Sequence, residues 1–195
     1  DQRRGILMKK WISAAATAAG AYLIAIAPRL CERPERMPKV YYAHRGLHDN
    51  ISDAPENSLA AFQKAVDAGY GIELDVQMTA DGKVVVVHDF NLKRISGVDK
   101  EIDQCTYEEL QDYPIYGSDQ RVPLFEDVLK AVDGKVPLIV ELKYKEGSKI
   151  CEKAQEILNG YTGIYCIESF HPQVLVWYRK NYPCLLYTSD AADEL

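Results

Sequence analysis

Gly71-Ile72-Glu73-Leu74-Asp75-Val76-Gln77-Met78, then the pair Asp81-Gly82, then Lys83-Val84-Val85-Val86-Val87-His88-Asp89 is the stretch that decides the fold. Side chains two apart on a strand share a face, so residues 71–78 put Glu73 and Asp75 on one side and Leu74 and Val76 on the other. Asp81-Gly82 predicts a turn, and four valines in a row predict a strand buried on both faces. Working outward, residues 40–43 form a short apolar strand that ends at His44. Residues 59–68 have helical apolar spacing (Leu59, Phe62, Ala65, Val66), with Ser58 as N-cap and Gly69 just past the end. Residues 91–120 are a polar excursion with a short helix at 107–110. Helix 124–132, strand 137–142, helix 148–158, strand 165–169 and helix 172–182 follow. Regular alternation predicts a parallel sheet with right-handed crossovers. The expected architecture is a (β/α)8 TIM barrel. It is incomplete, with about five strands present and roughly three missing, because a full barrel needs roughly 250 residues and this chain has 195.

The composition is 47% hydrophobic and 27% charged, which fits a globular protein rather than a disordered one. A net charge of −6 without a Lys/Arg cluster excludes nucleic acid as the expected partner. Five cysteines without a C-x-x-C pair predict reduced, partly buried thiols rather than a disulfide framework or zinc site.

Both ends read differently from the middle. Residues 1–10 form a basic upstream segment, with Met8 as the expected start. Residues 11–27 carry no charge and predict a membrane anchor helix, at the lower limit of the roughly 17 to 25 residues a span needs. The alternative is a signal peptide, since Ala25-x-Ala27 has a cleavage-site pattern, and the product would then be secreted; Pro28 disfavours cleavage there. Lys9 and Lys10 before the span and four basic residues after it leave the side of the membrane open. Residues 28–39, with three prolines, predict a stiff linker to a domain at 40–183. Residues 184–195 resemble the translated read-through of a transposase sequencing adapter and are expected to contribute no element. Without their three acidic residues the net charge goes from −6 to −3.

Charged residues at the ends of strands this apolar need a reason, because burying an unpaired charge costs several kcal/mol. Glu73, Asp75 and Glu141 offer three carboxylates without Cys or His spacing, a donor set suited to one hard divalent cation, Mg2+ or Ca2+, rather than zinc. An ion-pair network with Arg45 and Lys143 is the alternative. His44 and His88 each end a strand, and an imidazole pair can divide proton uptake and proton delivery. His48 and His171 are expected to be structural. Arg45 offers a planar fork to phosphate oxygens and Lys143 a point charge. Two cations and a metal around one anion point to phosphoryl chemistry.

The ordered motifs Tyr42-Ala43-His44-Arg45-Gly46, Pro55-Glu56-Asn57-Ser58, Glu73-Leu74-Asp75-Val76, Val86-Val87-His88-Asp89, Glu141-Leu142-Lys143 and Ser169-Phe170 resemble the glycerophosphodiester phosphodiesterase family from about residue 40 to 183. The resemblance implies a TIM barrel that hydrolyses glycerophosphodiesters to glycerol 3-phosphate and an alcohol. It implies His44 and His88 as the acid/base pair, and Glu73, Asp75 and Glu141 as metal ligands. Arg45 and Lys143 would contact the phosphate, and Glu56 and Asn57 would shape the site or cap the following helix. The expected partners are a small-molecule glycerophosphodiester and a membrane, and the oligomeric state stays open. Two alternatives remain: a phospholipase D-like enzyme of the same superfamily acting on a lysophospholipid or sphingolipid, and a membrane-tethered non-catalytic homologue.

Overall fold

The computed structural model describes residues 36–145, 147, 149–183 and 185–188, the last two by their backbone only. The expected anchor at 11–27 and most of the 28–39 linker lie outside the described residues. Among the described residues no helix is long and apolar enough to cross a membrane.

A parallel sheet forms the frame: β1 (Tyr42–His44), β2 (Gly71–Met78), β4 (Leu138–Leu142) and β5 (Tyr165–Glu168) lie side by side in that order. Between them run α1 (Leu59–Asp67), α4 (Phe125–Val132) and α5 (Lys149–Leu158), and α6 (Pro172–Asn181) follows β5. This is the predicted alternation, with helix ends set where the capping residues stand. Ser58 accepts a hydrogen bond from the Ala61 amide, and Gly69 turns the chain at φ +73°, a conformation that costs glycine nothing. Leu74, Val76, Leu138, Val140, Leu142 and Ile167 point to the helix side and pack on Phe62, Phe125 and Val128. Burial of such side chains stabilises by roughly 1.5–3 kcal/mol each.

Two expectations need correction. The strand predicted at 83–87 is β3 (Val84–Val86), and it pairs antiparallel with β2 rather than joining the parallel sequence. The Asp81-Gly82 turn is too short for a crossover, so it can close only a hairpin. The valine run is still buried on both faces, but against two cores. Val84 and Val86 face the sheet core, while Val85 and Val87 face a second cluster with Leu92, Ile95, Ile102, Leu110, Ile115 and Val122. Most of that cluster is the interior of the excursion predicted at 91–120, with Val122 just beyond it. The excursion contains α2 (Lys93–Ser96) and α3 (Tyr107–Leu110) with 3-10 turns at Ile102–Gln104 and Ile115–Gly117.

The second correction concerns residues 184–195. Tyr187–Thr188 form a short strand, β6, parallel to β5, with Ile167 opposite Tyr187. β5 otherwise offers an unpaired edge, and an apolar extended segment pairs readily with such an edge. Three of the five cysteines lie among the described residues. These, Cys105, Cys151 and Cys166, are buried free thiols, with burial pushing Cys151 and Cys166 up to about 12.

Candidate active site

Parallel register brings the predicted carboxylates together. His44 is level with Glu73, and Asp75 is level with Glu141. One ligand oxygen from each of Glu73, Asp75 and Glu141 lies within 4.8 Å of the others, and all three residues are buried. The same row continues to Glu168, level with Glu141 and also buried, a position the sequence analysis did not single out.

The first strand end is shaped by backbone torsion. Arg45 and Gly46 both have positive φ, +57° and +83°, so the chain turns sharply and the Arg45 amide donates to Glu73 Oε2 at 2.9 Å. A Cβ on Gly46 would lie 2.9 Å from Ala61 Cβ, which reserves this position for glycine. Asn57, also at positive φ, donates from Nδ2 to Asp75 Oδ2 at 2.8 Å. It therefore orients a carboxylate of the triad, and the capping role belongs to Ser58.

Lys143 is committed to the carboxylates. Its ammonium is 2.7 Å from Glu141 Oε1 and 3.0 Å from Asp75 Oδ1. The second contact is in ion-pair range but poorly aligned, so Asp75 Oδ1 accepts no hydrogen bond although it is fully buried. Arg45 Nη1 is 3.3 Å from Glu56 Oε1, and Nε, buried without a hydrogen-bond acceptor, is 3.6 Å from Asp75 Oδ2. The ion-pair alternative is thus present in part, but two cations face three triad carboxylates. Burial and the Asp75 charge push Glu73 up to about 8, and burial pushes Glu141 up to about 7. Asp75 is held below its ordinary value: burial opposes this, but Lys143 and Asn57 outweigh it. An all-oxygen donor set short of positive charge, with one buried oxygen lacking a hydrogen bond, fits a hard divalent cation.

His44 stands beside this cluster, its Nε2 3.8 Å from Glu73 Oε2, and burial followed by the Arg45 charge lowers its pKa. His88 lies on the β3 side and shares a cavity of about 640 Å³ with Lys143, Phe90 and Asn91. A second cavity of similar size among Lys83, Leu129, Lys153 and Tyr161 contains none of these groups; its mixed charges converge on no reacting centre.

Three residues escaped the sequence analysis in their roles. Asp89 Oδ1 is 2.6 Å from His88 Nδ1; the His88-Asp89 pair was visible as a motif, without a function for the aspartate. Arg94 from α2 forks onto both Asp89 and Glu56, and Tyr116 accepts a further Arg94 N–H. Partners 22 and 38 residues away leave no local pattern to read.

The fold and this site define an α/β chain with a buried carboxylate cluster fit for a divalent cation beside its sheet, and comparison with known proteins gives the family. Residues 44–193 match the glycerophosphoryl diester phosphodiesterase family, and the chain belongs to it. It is 33% identical over 160 residues to a glycerophosphodiester phosphodiesterase of Bacillus altitudinis, covering 75% of this chain and 64% of that one. It is 31% identical over 163 residues to the lysophospholipase D GDPD1 of Homo sapiens, covering 77% and 48%. An Oleispira antarctica phosphodiesterase solved in complex with the product sn-glycerol-3-phosphate superposes with a TM-score of 0.70 at 25% identity, over 78% of this chain and 66% of that one. The chain thus spans about half to two thirds of the length of these relatives. The parallel α/β sheet is consistent with the TIM barrel expected from the sequence.

Proposed function

We infer that this chain carries the machinery of a phosphoric diester hydrolase that cleaves glycerophosphodiesters to glycerol 3-phosphate and an alcohol. The observation that carries this reading is the buried Glu73, Asp75 and Glu141 triad on neighbouring strands β2 and β4, within 4.8 Å of one another and flanked by His44 and His88. Glu73, Asp75 and Glu141 would hold one Mg2+ or Ca2+, which when bound supplies Lewis-acid stabilisation of charge on the phosphoryl oxygens. Lys143 balances Asp75 and Glu141 and adds positive potential beside the phosphate. Arg45, steered by Glu56, presents its guanidinium edge to a phosphate oxygen. One histidine takes a proton from the attacking hydroxyl and the other gives one to the departing oxygen. His88 acts through Nε2, because Nδ1 is engaged by Asp89.

A lysophospholipid is the second reading. Phe90 lines the cavity beside His88, and the half-exposed Phe170 ring sits 5.7 Å from Lys143 Nζ, which together supply apolar surface at the mouth. An anchor at residues 11–27 would keep the chain beside lipid. The test is release of choline and glycerol 3-phosphate from glycerophosphocholine, followed with and without EDTA. Cleavage that EDTA abolishes and Mg2+ or Ca2+ restores is expected. Turnover of long-chain substrates alone would favour the second reading, and full activity in EDTA would contradict the metal assignment.

A further inference from the structure

Arg94 lies outside the carboxylate triad, on the excursion, yet it joins two parts of the site. Its Nε donates to Asp89 Oδ2 at 2.6 Å and its Nη2 to Asp89 Oδ1 at 3.1 Å. Nη2 also donates to Glu56 Oε1 at 2.6 Å, and Nη1 to Glu56 Oε2 at 2.9 Å and to the Tyr116 hydroxyl. A guanidinium has five N–H donors, and these contacts account for all five. Arg94 therefore has no donor left for a phosphate and differs in kind from Arg45, whose Nε lacks an acceptor.

Two of the five bonds fix the Asp89 carboxylate, and the other three anchor the guanidinium on Glu56 and Tyr116. Held by Arg94, the Asp89 carboxylate stays ionised down to about 2, although burial alone would raise it. An ionised carboxylate only accepts hydrogen bonds, so at 2.6 Å the His88 Nδ1 must be the donor. The remaining ring nitrogen, Nε2, is then the one that exchanges a proton. On the other side, Glu56 is shared between Arg94 and Arg45, so one guanidinium sets both the histidine and the edge of Arg45.

We propose that Arg94, clasped by Tyr116, is a positioning residue: it fixes Asp89 so that His88 is locked in its Nδ1–H tautomer with Nε2 presented to the phosphodiester. The excursion then serves catalysis by delivering this one side chain. The proposal rests on the reading of His88 as an acid/base group.

The test is the tautomer itself, read from long-range proton–nitrogen NMR spectra of the 15N-labelled chain above the titration of His88. A protonated Nδ1 and a bare Nε2 are expected in the wild type. In Arg94→Gln the signals should move toward a mixture with the Nε2–H form, which free imidazole favours, while the His171 signals stay put. Lys93→Ala should change nothing at His88. A wild-type His88 protonated on Nε2, or an Arg94→Gln spectrum unchanged at His88, overturns the proposal. If Arg94→Gln does not fold, Tyr116→Phe and Arg94→Lys, which keep the charge, decide it: both should loosen the tautomer partway, and no change in either counts against it. Turnover of glycerophosphocholine separates this from the functional reading. Arg94→Gln should lower kcat roughly 10- to 100-fold, as outer partners of site groups do, with KM little changed and no further loss in a His88→Ala background. A loss confined to KM would make Arg94 a substrate ligand and sink the proposal. Near wild-type turnover in His88→Ala would instead remove the catalytic role of His88 and leave the NMR result to judge Arg94.

Discussion

Two groups of carboxylates and cations meet at the strand ends, and they are wired in opposite ways. Around Arg94, Glu56 and Asp89 are held down to about 2: burial would raise both, and the guanidinium fork outweighs it. Around Asp75, the same residue types leave Glu73 raised to about 8 and Glu141 to about 7, since burial and like charge outweigh the help from Lys143. The first group is complete within the protein. The second is short of positive charge, and a buried oxygen cluster of that kind is the donor set we propose for a divalent cation. Arg45 links them, touching Glu56 in one and approaching Asp75 in the other.

Breaking the unbalanced side has the largest effect. Asp75→Asn should cost on the order of 10³ in turnover, the several kcal/mol that a cation supplies to a phosphoryl transition state. It should also lower the melting temperature in EDTA, because Lys143 and Asn57 hold Asp75 ionised in the fold and lose that partner. A variant with both normal turnover and normal stability would erase the distinction between the two groups. His88→Ala follows, with a loss of roughly 10² or more, measured as kcat on glycerophosphocholine. Asn57→Ala removes the amide that orients Asp75 Oδ2 and should weaken cation affinity roughly 10- to 100-fold, read by calorimetric titration.

The pH dependence of stability sharpens the contrast without any mutation. Glu73 and Glu141 bind protons more tightly folded than unfolded, where their ordinary value is 4.5. The folded state then holds more protons, so stability in EDTA should fall as pH rises from about 5 to about 8. Glu56 and Asp89 have depressed values, so their stabilisation is full above about 5 and is lost as pH falls toward about 2. Melting temperatures in EDTA should thus decline on both sides of about pH 5, and saturating Ca2+ should flatten only the alkaline side. A flat profile from pH 5 to 8 in EDTA would argue against strain in the triad. The smallest effect belongs to surface pairs such as Lys130–Asp127, both well exposed. Lys130→Ala should change stability by less than about 0.5 kcal/mol in a denaturant titration.

The sheet was legible because its physics is local. Period-two patterns put Glu73 with Asp75, and strand ends at His44 and Glu141 gathered the rest once strands lay in parallel register. Ser58 and Gly69 bounded α1 as capping chemistry demands. The Asp81-Gly82 turn into β3 was legible, but the count of about five barrel strands took in the valine run, which pairs antiparallel with β2 and lies outside the parallel row. Lys143 was expected at the phosphate, but only the structure shows how fully Asp75 and Glu141 engage it. Arg94 was illegible. It stands in a polar stretch with no periodicity, and its meaning comes from Glu56, Asp89 and Tyr116, which three separate segments bring together.

The most direct test of the central claim is a calorimetric titration of the EDTA-treated chain with Ca2+ and with Mg2+, beside Asp75→Asn. One ion bound per wild-type chain, with heat lost in the variant, is the predicted result. Equal binding by both proteins, or none by either, would mean that the buried triad is an ion-pair network and not a cation site.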